Sequence, residues 1–318
     1  MAQQENVIAG RIRNPLKWRD FGDFLKGIFP FKVQKISINA GFTCPNRDGS
    51  KGVGGCTYCN NQTFSPHYAA DEKSVSQQLD EGIAFFSYKY PQMKYIAYFQ
   101  AYTNTYMGAN VGVQNFEPLQ DKYLEALNHP GVVGLIIGTR PDCMPDGLLD
   151  ELEKMSKTHF LLIEYGVEST DNQTLASINR GHTYEEAVDA IQRTAARGIY
   201  CGVHLILGLP GEDREKILSH ADKIAQLPVT TVKLHQLQLI RGTKMAKQYI
   251  AHPGQFHRYE VDEYIDLCLD FIKRLPESFV IERFVSQSPK ELLLLPGWGL
   301  KNYEFTARVQ KRLNCALK

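Results

Sequence analysis

The sequence predicts an α/β protein built on a partial (β/α)6 barrel with a short C-terminal extension. Three observations carry this expectation. Six short apolar runs have strand character, at 33–40, 95–101, 132–138, 160–167, 201–207 and 231–239. Apolar residues at helical spacing fill the intervals from the third run onward. Segments rich in Gly, Cys and polar residues follow most runs directly. Strands alternating with helices argue for repeated βα units.

The elements follow in order. The first run, from Val33, leads into the Gly- and Cys-rich stretch 41–61. The second is followed by Tyr102-Thr103-Asn104-Thr105. The third holds the unbroken Leu135-Ile136-Ile137 and precedes Thr139-Arg140-Pro141-Asp142. Leu148, Leu149, Leu152 and Met155 then recur at helical spacing. The fourth run opens with Phe160-Leu161-Leu162-Ile163 and ends at Gly166-Val167-Glu168-Ser169. A helical pattern of Tyr184, Ala187, Val188, Ile191 and Ala195 comes next. After the fifth run come Gly208-Leu209-Pro210-Gly211-Glu212 and a helix marked by Ile217, Leu218, Ala221, Ile224 and Ala225. Beyond the sixth, 244–259 reads as a loop with the turn signal Pro253-Gly254 and a solvated pair, His252 and His257. Val261, Ile265, Cys268, Leu269 and Ile272 mark a further helix. The tail carries a strand near 279–285, then a helix with Phe305, Val309 and Leu313 on one face.

Unbroken apolar runs suit strands buried on both faces, hence a parallel sheet. Parallel strands need right-handed crossovers, so the sheet curls one way. Six units rather than eight point to an open barrel. The polar segments then share the carboxyl end of the strands, where ligands bind. No linker divides the chain, which reads as an N-terminal extension (1–30), a core (31–275) and a C-terminal extension (276–318).

Bulk composition agrees. The 318 residues are 43% hydrophobic and 22% charged, as in an ordinary globular protein. No apolar run reaches the length of a membrane span, and the first six residues lack the charged and apolar regions of a secretory signal. The expected compartment is cytoplasmic, with no membrane partner. Net charge is +1, so no global basic field advertises nucleic acid. Both ends are locally basic: residues 1–35 carry seven Lys and Arg against three acids, and 301–318 carry five against one. Each reads as a solvated surface, and the two make a phosphate-contacting rim only if they meet in space.

Seven cysteines, an odd number, argue against a disulfide framework. Cys143, Cys201, Cys268 and Cys315 are scattered and read as packing residues. Cys44, Cys56 and Cys59 are clustered. Eleven residues separate the first two and two the last two, in a loop containing Gly49, Gly52, Gly54 and Gly55. Thiolates suit zinc or an iron–sulfur cluster. One reading is a zinc site closed by a fourth ligand such as His67. The other is a cubane held at three corners, one iron remaining open to a ligand. The position after a strand, Tyr58 between the last two cysteines, and the lack of a second Cys-x-x-Cys pair favour the cubane.

These residues resemble the radical SAM superfamily, whose usual motif is Cys-x3-Cys-x2-Cys with an aromatic before the last cysteine. The longer first spacing is similar to the branch of the Elongator catalytic subunit and to the bacterial YhcC/YtqA-type family. The resemblance implies a [4Fe-4S] cluster on Cys44, Cys56 and Cys59, and S-adenosyl-L-methionine cleaved reductively to a 5′-deoxyadenosyl radical. It places Tyr58 near the adenine. It sets Gln100, Thr103 and Asn104 where the family binds the methionine amino group. Thr139-Arg140-Pro141-Asp142 resembles a motif of the Elongator branch. Glu168 stands where ribose hydroxyls are bound. Arg180 matches a cofactor-contacting arginine of oxygen-independent coproporphyrinogen III oxidase, and His204 takes the place of an acidic contact there. A reduced flavodoxin or ferredoxin is the implied electron donor.

On substrate the resemblance implies tRNA, through modification of a wobble-uridine side chain. The alternatives are a small metabolite of the porphyrin-precursor kind and a zinc-stabilised binding protein. Further candidates are His235, on the opposite strand face from Gln236 and Gln238 by alternation, Tyr102 and Tyr106 as stacking platforms, and Cys143.

Overall fold

The computed structural model describes residues 18–63, 65–88, 92–108 and 115–316. The strands in chain order are β1 (Arg19–Asp20), β2 (Val33–Ile38), β3 (Lys94–Phe99), β4 (Val132–Thr139), β5 (Phe160–Glu168), β6 (Tyr200–Leu207), β7 (Thr231–Gln236), β8 (Leu239–Ile240), β9 (Val280–Arg283) and β10 (Leu293–Leu295). Eight form one parallel sheet in the order β1-β9-β7-β6-β5-β4-β3-β2. β8 and β10 pair apart as an antiparallel ribbon. The partial barrel is thus the one the six runs predict, extended at one edge by β9 from the tail and by β1.

The helices are α1 (Phe21–Lys26), α2 (Val75–Ser87), α3 (Glu117–Leu127), α4 (Asp146–Ser156), α5 (Asn172–Ser177), α6 (Tyr184–Ala196), α7 (Arg214–Ile224), α8 (Lys244–Ala251), α9 (Val261–Lys273) and α10 (Asn302–Ala316). Reciprocal caps start three of them: Ser74 with Gln77 on α2, Thr183 with Glu186 on α6, and Glu260 with Glu263 on α9. None of the helices among the described residues is long and apolar enough to cross a membrane.

Strand alternation sorts the two faces of the sheet. Along β5, Leu161, Ile163, Tyr165 and Val167 point outward into the core shared with the helices. Phe160 and Leu162 point inward and pack with Phe21, Phe24 and Leu25 of α1. Glu164, Gly166 and Glu168 continue the inward column and line a cavity. Each α1 side chain buried this way contributes roughly 1.5–3 kcal/mol. The short helix therefore stops the amino end of the barrel, and the cavity opens at the carboxyl end. Apolar residues occupy both faces of the lower sheet, so the runs look continuous in sequence.

Three expectations change. The sixth run ends at Gln236, not 239, because residues 239–240 leave for the ribbon with β10. The stretch 244–259 is not all loop: Thr243 caps α8 through Ala246. Its apolar face, Met245, Ala246 and Tyr249, spans little more than one turn of an eight-residue helix and is too short to stand out as a period. The basic ends do approach, since Trp18 and Phe305 both pack on Phe284 at 5.2 and 6.3 Å. Among the described residues Arg19, Lys301, Arg308 and Lys311 stay exposed, while other cations of these stretches are engaged. Lys35 turns into the barrel, Lys26 pairs with Asp23, and Arg312 pairs with Asp262 and Asp266. Arg11, Arg13, Lys17 and Lys318 lie outside the described residues.

Candidate active site at the carboxyl end of the barrel

The loop after β2 is folded on itself by backbone bonds. Arg47 and Asp48 N–H donate to Cys44 C=O at 2.8 and 3.2 Å, Gly55 N–H to Asn46 C=O at 2.8 Å, and Cys59 N–H to Cys56 C=O at 3.0 Å. Gly54 and Gly55 have φ of 81° and 73°, which side-chain-bearing residues rarely adopt. Neighbouring segments hold the loop from outside: Thr57 N–H donates to Ile178 C=O, and Met245 N–H at the start of α8 donates to Thr57 C=O, both at 2.9 Å. Cys44, Cys56 and Cys59 converge on one cavity, which with its open mouth encloses about 1190 Å³.

Thr139-Arg140-Pro141-Asp142 is the brace beneath this loop. Arg140 and Asp142 are both buried and form a two-bonded pair at 3.0 and 2.9 Å. Arg140 Nη1 donates to Arg180 C=O at 2.7 Å, and Lys51 of the cysteine loop reaches Asp142 at 2.7 Å. Burial pushes the Asp142 carboxyl up, but the Arg140 and Lys51 bonds and charges outweigh it and hold it at about 2.

Arg180 joins the brace to the sulfurs. Its Nη1 lies 3.6 Å from Cys56 Sγ, Nη2 donates to Gly166 C=O, and Glu168 Oε1 lies 3.6 Å from Nη2. Its Nε donates to His182 Nε2 at 3.0 Å. An arginine only donates, so His182 Nε2 accepts and Nδ1 carries the proton, donated to Thr183 C=O. Burial, then the Arg180 charge, pushes the His182 pKa down to about 3. Burial opposes the Arg180 charge too, yet Tyr58, Cys56 and Glu168 outweigh it. Gly166 makes room for this meeting: a Cβ there would stand 2.5 Å from Glu168 Oε1 and 2.6 Å from Arg180 Nη2. Glu168 reaches the cavity from a bulge in the β5–β6 register, at φ 69°. Backbone of that kind in a non-glycine residue marks functional sites.

The other expected residues divide. Tyr58, Gln100, Thr103 and His204 line the cavity with Glu168 and Arg180. Gln100 Oε1 accepts from Ser37 at 3.2 Å. Asn104 does not line it: its side-chain amide donates to Phe99 and Gly138 C=O at 3.1 and 2.7 Å, clasping two strand ends. His204 Nε2 lies 2.8 Å from Glu164, inside the barrel. Tyr102 lines the mouth with Arg47 stacked on its ring at 5.6 Å, while Tyr106 binds Ser50 on the neighbouring groove. Cys143 lines that groove and not the main cavity, and burial pushes its thiol up to about 12. His235, Gln236 and Gln238 all line the cavity at the carboxyl end of β7, so the expected separation of His235 from the two glutamines is not found there.

A charged layer beneath the mouth escaped the sequence reading. Glu164 receives Lys233 at 2.6 Å and Lys35 at 3.3 Å, and Glu282 receives the same two lysines at 2.6 and 2.9 Å. Burial raises the Glu164 carboxyl, but Lys233, Lys35 and His204 outweigh it and keep it ionised. Asn46 was also missed; its amide donates to Asn179 C=O and lies 3.7 Å from Cys56 Sγ. An isolated lysine, glutamate or asparagine in a sequence carries no sign of such a role.

The residues fit a cluster with a bound nucleotide. N–H donors from Asn46, Arg180 and Asn61 lie 3.6–4.0 Å from Cys56 and Cys59 sulfur, the kind of contact that tunes thiolate ligands. Thr103 Oγ1 is buried at the cavity wall with no hydrogen-bond partner among the described residues. His67, the fourth ligand of the zinc reading, packs its ring on Tyr68 and Phe85 at 5.7 and 6.1 Å and does not line the cavity. Residues 41–224 match the radical SAM superfamily model, and 229–314 match the Radical_SAM C-terminal domain. The chain belongs to the radical SAM superfamily. Such enzymes use a [4Fe-4S] cluster and S-adenosylmethionine, and this chain is one of them. This radical SAM enzyme is 33% identical to the uncharacterized protein YtqA of Bacillus subtilis over 289 residues, 91% of this chain and 87% of that one. It is 33% identical to protein YhcC of Escherichia coli over 295 residues, 92% and 91% of the two chains. A tRNA uridine(34) acetyltransferase of Methanocaldococcus jannaschii is 29% identical over 151 residues, 46% of this chain and 27% of that protein. In fold, the enzyme superposes on the archaeal Methanocaldococcus infernus Elp3 with TM-score 0.64 and 18% identity, covering 90% of this chain and 63% of that one.

Proposed function

We propose that this radical SAM enzyme modifies the side chain of a tRNA wobble uridine. Cys44, Cys56 and Cys59 would hold the cluster, which would supply the electron for reductive cleavage of S-adenosylmethionine. The chain's own residues hold and screen that chemistry. Arg180 and Asn46 donate toward the Cys56 sulfur. Tyr58 would pack against the adenine, Gln100 and the unpartnered hydroxyl of Thr103 would serve the methionine end, and Glu168 would accept from the ribose hydroxyls. His204 stands below them with Glu164. Asn104 serves this wall indirectly, by fixing the strand ends beside Thr103.

One observation carries the tRNA reading: over 151 residues, 46% of its length, the chain is 29% identical to a tRNA uridine(34) acetyltransferase. A reduced flavodoxin or ferredoxin in the cytoplasm is the electron donor in this reading.

Two measurements test it. Anaerobic reconstitution with iron and sulfide should give about four irons per chain and reductant-dependent 5′-deoxyadenosine. Filter binding should retain tRNA, with affinity falling steeply as salt rises. No tRNA retention at low salt removes the substrate assignment; no bound iron removes the enzyme mechanism with it.

A further inference from the structure

The carboxyl end of β9 carries a second feature. The β7–β9 register shifts so that Glu282 and Arg283 together oppose Lys233. Such a bulge re-aims a side chain. Here both residues face the barrel interior. Glu282 takes Lys35 and Lys233, as above, and Arg283 lines the cavity.

Arg283 has an unusual set of neighbours. Its Nη2 lies 3.2 Å from His235 Nε2, and its Nε is buried with no hydrogen-bond partner among the described residues. The other arginines of the cavity wall have different company: Arg140 holds Asp142, Arg180 faces Glu168, and Arg47 stacks on Tyr102 at the mouth. No carboxylate among the described residues lies within ion-pair distance of Arg283. Burial, with Arg283 next, pushes the His235 imidazole well down, so it adds no charge. By formal charge, the layer sets three cations, Lys35, Lys233 and Arg283, against two carboxylates, Glu164 and Glu282, and the ion pairs take only the lysines. A part-buried cation without a counter-ion is costly, and an anion arriving there removes the cost.

The surroundings are built to receive one. Arg283 Nη2 lies close to both ring nitrogens of His235, 3.2 Å from Nε2 and 3.5 Å from Nδ1, and Nδ1 shares a hydrogen bond with Ser286 Oγ. Ser286 Oγ therefore sits beside the imidazole as a hydroxyl able to donate or accept. Gln236 holds Ser286 from both sides, donating to its C=O at 2.9 Å and accepting from its N–H at 2.7 Å. Gln238 reaches the same C=O at 3.3 Å and accepts from Ser288 at 2.7 Å. The glutamines are thus positioning residues, and the donors they frame are Arg283 and Ser286.

We propose that Arg283, with the Ser286 hydroxyl and His235, is an anchor for an anionic group of the substrate, a carboxylate or a phosphate. This rests on the tRNA reading only for the choice of probe.

The test uses anaerobically reconstituted full-length protein with S-adenosylmethionine bound. Three probes are titrated: a uridine bearing an acetate on C5, its methyl ester, and uridine 5′-phosphate against plain uridine. A charged hydrogen bond of this kind is expected to favour an anion over its neutral twin by at least about tenfold. Acid over ester identifies a side-chain carboxylate, and 5′-phosphate over uridine identifies a phosphate. Arg283→Met should abolish whichever preference appears. Arg283→Lys should keep part of it, and it serves if the methionine variant misfolds. No preference in either pair, or a preference that survives Arg283→Met, overturns the proposal. So does a tenfold fall in S-adenosylmethionine affinity in both variants, which would place the arginine against the cofactor. Filter binding of tRNA separates the two readings: wild-type protein that ignores tRNA yet prefers the acid loses the tRNA assignment and keeps the anion anchor.

Discussion

The Lys51 ammonium lies 2.7 Å from the Asp142 carboxylate, and through this contact the cysteine loop is moored to the end of β4. Asp142 has a second partner, the buried Arg140. The two cations are not equivalent. The Lys51 side chain is 38% exposed and Arg140 only 2%. Asp142→Asn leaves a buried guanidinium without its counter-ion and should cost about 3–5 kcal/mol. Lys51→Met should cost about 1 kcal/mol or less. Urea unfolding midpoints of the two variants check the ranking; equal losses would contradict it.

Arg180→Met should lower reductant-dependent 5′-deoxyadenosine formation by about 10- to 100-fold, the usual effect of removing a group that orients a metal ligand. The same variant leaves the three thiols in place, so bound iron should fall less than activity. Iron analysis beside product assay tests this. Unchanged turnover would show that the Arg180 contact to Cys56 has no role in the chemistry.

Gly166→Ala places a methyl group between Glu168 and Arg180, at the 2.5 and 2.6 Å given above. Overpacking of this kind costs about 1–3 kcal/mol. Both partners must shift, so nucleotide affinity should fall with stability. Equilibrium dialysis of S-adenosylmethionine and a thermal unfolding scan would show both changes together.

Acid should weaken the fold before the carboxylates titrate. Buried His182 has a folded pKa near 3, against 6.5 when exposed. Below pH 6.5 the unfolded chain binds a proton that the folded chain refuses. Stability is therefore lost as pH falls from about 6.5 toward 3, with a slope approaching about 1.4 kcal/mol per pH unit for that one group. His182→Gln should flatten the slope between pH 6 and 4.5. Urea midpoints at pH 7, 6 and 5 decide the matter.

The strands were legible because the outward face and the lower inward face of the sheet are both apolar, as Phe160-Leu161-Leu162-Ile163 shows. Helices with a full apolar stripe, such as α6 and α9, were legible too. α8 was not, its apolar face spanning little more than one turn. Two-residue β1 was too short to show a period. In the site, the cysteines, Tyr58, Glu168 and Arg180 stood in motifs, and the fold brings them to one cavity. Asn104 stood in the same motif as Thr103, yet neighbouring positions face different ways and its amide serves backbone. Lys35, Glu164, Lys233 and Glu282 could not be grouped from sequence. They lie up to 247 positions apart, from 35 to 282, and meet only when the sheet curls. Nor does any local signal mark the bulge that turns Glu282 and Arg283 the same way.

The aromatic stopper formed by α1 has an electrical consequence. Charges on an outer surface fade when salt is added, because mobile ions gather round them. Above Phe21, Phe24 and Leu25 the barrel axis admits no such ions from below. The fields of the lysines and glutamates resting on that stopper should persist in concentrated electrolyte, even where long-range attraction of a polyanion to the outside of the molecule has vanished.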